Sequence, residues 1–484
     1  MPEGARPGGC WRSVLLLALL MALGGCASVR PWQNLPLQPA PERRQVAKPE
    51  PGAPDARSIL MFVSVSGGGA RAAAFGYGVL DALRQTRVHW QGRDQSLLDE
   101  LDVISGVSGG SIVATYYAAF GAQTFSRFEP QFLRHNFQES LISLALRPGN
   151  LYDLTSPWFG RSNLLERQLD TLFQGKTFAD LPDAPGQPRL LVSATDLSLG
   201  SSFEFTWRQF SLICSDLASV PLSFAVAASS AVPIALSPLT LKNHNANCPQ
   251  PVDLSTAAGA DFRVRMLRQQ QRSYLDAQTR PYIHLVDGGL ADNLGLRSLL
   301  DRSLADGGLR GSVRRWGAGK IARLVIIAVN AEREPSVSID AHDTVPSVMQ
   351  VADTLLFGAG ARASSETLGL LSDTVAAWRR ELSRDADAAS DPFAADAQIH
   401  LINVALRDAP ELLGRRRLLQ IPTAFTIAPE EVSQLIQAGA DILRASPQFH
   451  ALLQSLQPQT QPDRQPATAV SHQAGGGKPS GAAP

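Results

Sequence analysis

Aromatic side chains make up only 7% of this 484-residue chain, and no run interleaves them with basic residues. A stacking platform for single-stranded nucleic acid is therefore not expected. Net charge is missing too: 44 Lys and Arg balance 44 Asp and Glu, leaving no overall field to hold a polyanion, so no nucleic-acid partner is expected. No cluster of His, Cys, Asp and Glu has ligand spacing, and neither a metal nor another cofactor is expected. The eight histidines, at positions 89, 135, 244, 284, 342, 400, 450 and 472, lack the strand-end setting that recommends a catalytic base. The apolar run Val14 to Leu23 is too short to span a bilayer. What is present is apolar material, 44% of the chain, enough for one large α/β domain or two ordinary ones.

Arg6 and Arg12 precede that apolar run, which ends in Leu23-Gly24-Gly25-Cys26, the layout of a secretory signal. Small residues before a cysteine are what a lipoprotein signal peptidase accommodates, and the segment resembles a bacterial lipobox. The resemblance implies a signal peptide over 1–25 and a diacylated Cys26 as first mature residue. It also implies a lipid-anchored place in the bacterial cell envelope, at the outer membrane. A short signal anchor, or an ordinary secretory signal with an incidental cysteine, is the plainer reading of the same residues. Cys10 falls in the removed peptide, leaving Cys214 and Cys248, for which one disulfide and two free or buried thiols are both open.

Residues 27–57 contain many prolines without apolar periodicity, so the stretch from Cys26 to 57 reads as an extended tether. The folded body starts at Ser58. Ser58 to Val65 and Leu101 to Ile104 read as strands, each followed by a glycine turn and a helix, Ala70 to Leu83 and Ser111 to Phe120. Arg189 to Thr195, Pro281 to Val286, Ala322 to Asn330 and Ile399 to Ala405 are further buried-strand candidates. Alternation of this kind predicts an α/β fold, a mainly parallel central sheet with helices on both faces. Leu371, Val375, Trp378 and Leu382 form one helical stripe, and Val432, Leu435, Ile436, Gly439, Ile442 and Leu443 another, with Pro429 in a first-turn position. From about Gln457 onward the composition is that of a disordered tail.

Three segments carry chemistry. Gly106-Val107-Ser108-Gly109-Gly110 fits G-x-S-x-G between a strand and a helix, a sharp turn that lifts a serine oxygen above the sheet. Ser66-Gly67-Gly68-Gly69-Ala70-Arg71 also follows a strand. Its glycines leave backbone N–H groups free to converge on a developing negative charge. A phosphate loop is the rival reading, but the spacing and the lysine it needs are missing. Asp287, followed by Gly288-Gly289, ends an apolar segment where ligands bind in open α/β sheets. His284, three residues earlier on that strand, points to the other face.

Gly67-Gly68-Gly69-x-Arg71, Gly106-x-Ser108-x-Gly110 and Asp287-Gly288-Gly289 together resemble the signatures of patatin-like phospholipases, in the same order. Ser193 to Leu197 and Ala228 to Pro233 resemble segments that recur between them, and Ala72 departs from the usual glycine. The resemblance implies a catalytic core over 58–300, with 301–456 as an α/β extension of the same domain. It implies Ser108 as acylated nucleophile, Asp287 as base of a two-member dyad, and Gly67, Gly68 and Gly69 as oxyanion hole. Arg71 would brace that loop or meet an anionic head group, unless it is an ordinary helix-start surface residue. Asp196 and Ser229-Ser230 are expected to be structural. The implied partner is a phospholipid or other acyl-ester lipid. An esterase or acyltransferase on other esters shares every motif, and a non-catalytic envelope lipoprotein is the remaining alternative.

Overall fold

In a computed structural model of the chain, the described residues are 28–38, 58–182, 187–248, 254, 261–316, 320–333, 338–347, 350–351, 354, 359–384, 391–457 and 481. The expected signal peptide, Cys26 and nearly all of the expected tail lie outside them.

The first strand, β1 (Ser58–Val65), has its last five residues buried, because helices cover both faces of the sheet. Met61, Val63 and Val65 enter a large core on one face, while Phe62 enters a second core on the other. Helix α1 (Gly69–Gln85) follows, then a small hairpin, β2 (Arg87–Trp90) and β3 (Arg93–Ser96). Next come β4 (Leu101–Val107) and α2 (Gly109–Phe120), and after α3 (Arg161–Phe173) the strands β5 (Arg189–Asp196) and β6 (Ser201–Glu204). Helix α4 (Leu222–Ser229) leads to β7 (Leu239–Lys242) and β8 (Tyr282–Val286). Strand β9 (Ile321–Asn330), α5 (Ala359–Leu382), β10 (Phe393–Ala405) and α6 (Pro429–Ala445) complete the main frame.

The sheet order is β10-β9-β1-β4-β5-β8-β7, with β6 folded back on β5. From β10 to β5 all neighbours are parallel, and β6, β7 and β8 are antiparallel additions at one end. The fold is thus a mainly parallel sheet flanked by helices. Residues beyond 300 supply β9, which lies between β1 and β10 and is buried along its whole length. Leu371, Val375 and Trp378 of α5 enter the second core; Val432, Leu435, Ile442 and Leu443 of α6 enter the first. Helix α6 lies so close to α1 that a Cβ on Gly78 would overlap the Ile436 carbonyl, and one on Gly439 would overlap that of Phe75.

The tether expectation fails for residues 28–38, which pack on the body. Buried Asn34 donates to Ser215 Oγ and Lys242 O, both at 2.9 Å, and accepts the Lys242 N–H at 2.8 Å. Trp32 packs on Phe224 with ring centroids 4.8 Å apart, and the Leu37 N–H donates to Cys214 O. Proline content hides this docking, since proline removes donors without preventing the side chains beside it from being buried. The rest of the expected tether lies outside the described residues. Cys214 and Cys248 are joined as a disulfide, which decides the alternative left open above.

Candidate active site

Ser108 sits between β4 and α2 with φ 49° and ψ −123°. Such a backbone costs a non-glycine residue on the order of 1–3 kcal/mol and must be held by its surroundings. Its N–H donates to Ser229 Oγ at 2.8 Å, and Ser229 Oγ in turn donates to Ser193 O at 2.6 Å. Its carbonyl accepts both the N–H and the hydroxyl of Ser111, at 2.9 and 2.6 Å. Gly106 and Gly110 admit the turn: a Cβ on Gly110 would overlap the Val65 and Ser66 carbonyls, and one on Gly106 would overlap Ser111.

Asp287 follows β8, which overlaps β5 only at Val286 with Thr195 and Leu285 with Asp196, running antiparallel to it. The carboxylate therefore reaches the carboxyl edge of the parallel strands from the opposite direction to Ser108. Asp287 Oδ2 accepts the Ser108 hydroxyl at 2.7 Å, while Oδ1 accepts the Gly289 N–H at 2.8 Å. The Asp287 carbonyl accepts Thr195 Oγ1 at 2.8 Å, its N–H donates to Ala231 O, and the Gly288 N–H donates to Ser229 O. Both recurrent segments that precede the aspartate in sequence thus fix its main chain. Burial pushes the Asp287 carboxyl up to about 6, with the bonds from Ser108 and Gly289 holding it back. His284 is exposed and pairs with Thr240 on the far side of the strand.

The glycine loop lines the same cleft through Gly67 and Gly68, and one of the three expected donors is already taken. The Gly67 N–H donates to Asn293 O at 3.0 Å and is therefore occupied. The Gly68 and Gly69 N–H groups have no backbone acceptor outside helices and strands among the described residues. Gly68 has φ +142°, a conformation that side-chain-bearing residues rarely adopt. Ala72, the departure from the family pattern, is buried, and its N–H reaches Gly68 O at 3.4 Å.

Arg71 is a brace and not a surface residue. It is buried, donating through Nε to Ala331 O at 2.8 Å, through Nη1 to Ile421 O, and through Nη2 to Thr423 Oγ1 at 3.2 Å. Desolvation, then the nearby Arg333, lower its pKa to about 10, which leaves it cationic at neutral pH. The Ala70 N–H donates to Ala424 O at 2.7 Å. The glycine loop is therefore held by residues 421–424, which carry no recognisable motif and which sequence reasoning missed.

A narrow cleft, with room of about 50 Å³, lies over Ser108 and is lined in part by Val232, Pro233, Leu290, Asn293, Glu332 and Arg333. Asn293 was also missed as a site residue. Its Oδ1 occupies the space a Cβ on Gly67 would need. Asp196 binds Arg280 at 2.6 Å and the Tyr274 hydroxyl at 2.9 Å, away from the dyad, as suits a structural carboxylate. Among the described residues no three His, Cys, Asp or Glu gather as metal ligands, and no helix is long and apolar enough to cross a membrane.

Solved structures similar to the chain include human GIVD cytosolic phospholipase A2, at 13% identity and a TM-score of 0.41, covering 82% of this chain and 62% of that one. VipD from Legionella pneumophila is similar at 13% identity and a TM-score of 0.29, covering 90% of this chain and 73% of that one. The chain thus spans about three fifths of the human protein. No curated protein matches it. Residues 63–300 match the family model for patatin-like phospholipase, and the chain carries a domain of that family.

Proposed function

We propose that the protein hydrolyses fatty acyl esters of membrane lipids through a Ser108 acyl-enzyme, as a phospholipase A or lysophospholipase-like carboxylic ester hydrolase. The observation that carries this reading is the 2.7 Å hydrogen bond from Ser108 Oγ to Asp287 Oδ2, on a strained turn beside the glycine loop. Ser108 Oγ attacks the ester carbonyl as its proton moves to Asp287 Oδ2. The carbonyl oxygen, now an oxyanion, is received by the Gly68 and Gly69 N–H groups at the start of α1. Collapse expels the alcohol, which takes the proton from Asp287. Water then gives a proton to the same carboxylate and attacks the acyl group; the bond to Ser108 Oγ breaks, the serine takes the proton back from Asp287, and the fatty acid leaves. A buried aspartate raised to about 6 is a stronger base than an ordinary one and is still ionised at neutral pH. We also propose that Cys26 carries the lipid that holds the protein to the cell envelope, on the strength of Leu23-Gly24-Gly25-Cys26.

Fatty acid release from phospholipid vesicles tests the dyad. Ser108→Ala should lower it to background while far-ultraviolet circular dichroism stays unchanged. Asp287→Asn retains an oxygen for the Gly289 N–H and should lose at least about a hundredfold, within the range by which general bases act. Turnover retained by Ser108→Ala sinks the mechanism.

A further inference from the structure

A cleft built for acyl esters needs a way to receive a substrate that resides in a bilayer, and its rim has the chemistry for this. Val232 and Pro233 line the cleft, and the turn they begin carries Ile234, a β-branched residue at φ 72° that is 54% exposed. Such a backbone is an outlier for isoleucine and is held here by Arg161, whose Nη2 donates to Ile234 O at 2.7 Å. The N–H and hydroxyl of Ser162 both donate to Ser237, so the stretch 158–162 is stitched to the rim. Trp158, on that stretch, is 47% exposed, and Leu151 and Tyr152 just before it are 48% and 54% exposed. Arg147 is exposed one turn before Leu151, and the Arg30 guanidinium lies 4.1 Å from the Trp158 ring centroid.

We propose that this surface, running from Leu151, Tyr152 and Trp158 to Ile234 and Leu290 at the mouth, docks on a phospholipid bilayer and takes substrate from it into the cleft. The inference rests on the reading of the site as a lipid acyl hydrolase and names the surface that serves it. Tryptophan and tyrosine tips prefer the headgroup boundary, and arginine beside them suits lipid phosphates. The chain's own course favours a bilayer over a protein partner. Val29 O accepts Ser156 Oγ at 2.7 Å and Arg30 stacks on Trp158, so the described chain begins, at Ser28, beside this surface. A lipid on Cys26 would stand within about 7 Å of Ser28, two extended residues away. Anchor and surface would then meet the same bilayer.

The test uses the full chain with Cys26→Ser, so that binding reports the surface alone, and Ser108→Ala, so that vesicles stay intact. Cosedimentation with phosphatidylethanolamine and phosphatidylglycerol vesicles should show partitioning that Tyr152→Ser with Trp158→Ser lowers by about tenfold or more. Leu151→Glu, at a position outside the core, should do the same alone. With Ser108 restored, both variants should hydrolyse a soluble short-chain nitrophenyl ester within about twofold of the parent, since neither change touches the dyad. Partitioning unchanged by both variants overturns the proposal, as does a parent chain that binds no vesicles. Loss of self-association without loss of vesicle binding also overturns it, in favour of a second copy on this face. If the Ser108 parent fails to hydrolyse both the ester and phospholipid, the acyl hydrolase reading falls, while partitioning still decides the surface.

Discussion

Asp287 works under opposing demands, because burial makes it a better base and also makes it easier to protonate. Its raised value of about 6 sets the sign of the pH response. Below that value the carboxyl already carries a proton and is no longer a base for the Ser108 hydroxyl, so kcat/KM on a soluble ester should rise about tenfold per unit up to about 6 and level off above. A flat profile from about pH 5 to pH 7 would remove Asp287 as the base. Stability runs the other way in this window. Between roughly 4 and 6 the folded chain binds more protons at this group than the unfolded chain, so this group's contribution falls as pH rises. Ser108 and Asp287 were legible in the sequence because each sits in a glycine turn after an apolar strand. Ser229 was read as structural, without the bond it accepts from the Ser108 N–H being visible, and Asn293 was not legible at all, since a turn asparagine whose carbonyl holds another loop looks like any other.

At the scale of elements, the crossing of α1 and α6 is a close seam between the family-matched region and the rest of the chain. Gly78→Ala would drive a methyl into the Ile436 carbonyl. Overpacking of this kind costs about 1–3 kcal/mol, to be read as a lower midpoint in urea unfolding. A midpoint equal to the parent's would mean that the helices separate freely. The six long strands were legible from apolar runs, and both late helices from their stripes. Strands β2, β3, β6 and β7 were not, because each has only four residues, too few for a period to declare itself. Direction was hidden as well. Nothing in Tyr282–Val286 distinguishes an antiparallel strand from a parallel one, and only its two-residue overlap with β5 brings Asp287 to the correct edge.

For the whole molecule, the segment 28–38 changes what an anchor would do. A floating tether would leave the cleft free to face any direction, whereas a docked one fixes its orientation relative to the membrane. With native Cys26 the protein should stay in the membrane pellet through an alkaline carbonate wash, and with Cys26→Ser it should be extracted. A native chain extracted as readily as the variant would sink the anchor. Composition suggested a linker there because prolines are easy to count, while the burial of Asn34 and the packing of half-buried Trp32 depend on partners far along the chain.

The position of β9 has a further consequence, in time and not in space. Strand β1 is among the first parts of the body to be synthesised, yet β9, its neighbour on one side, begins only at Ile321. Until that residue emerges, one edge of β1 has no strand to pair with, and such an edge invites association with other chains. Any holding factor that the growing or exported chain requires has its task set by that interval, which ends when Ile321 to Asn330 slots into the sheet.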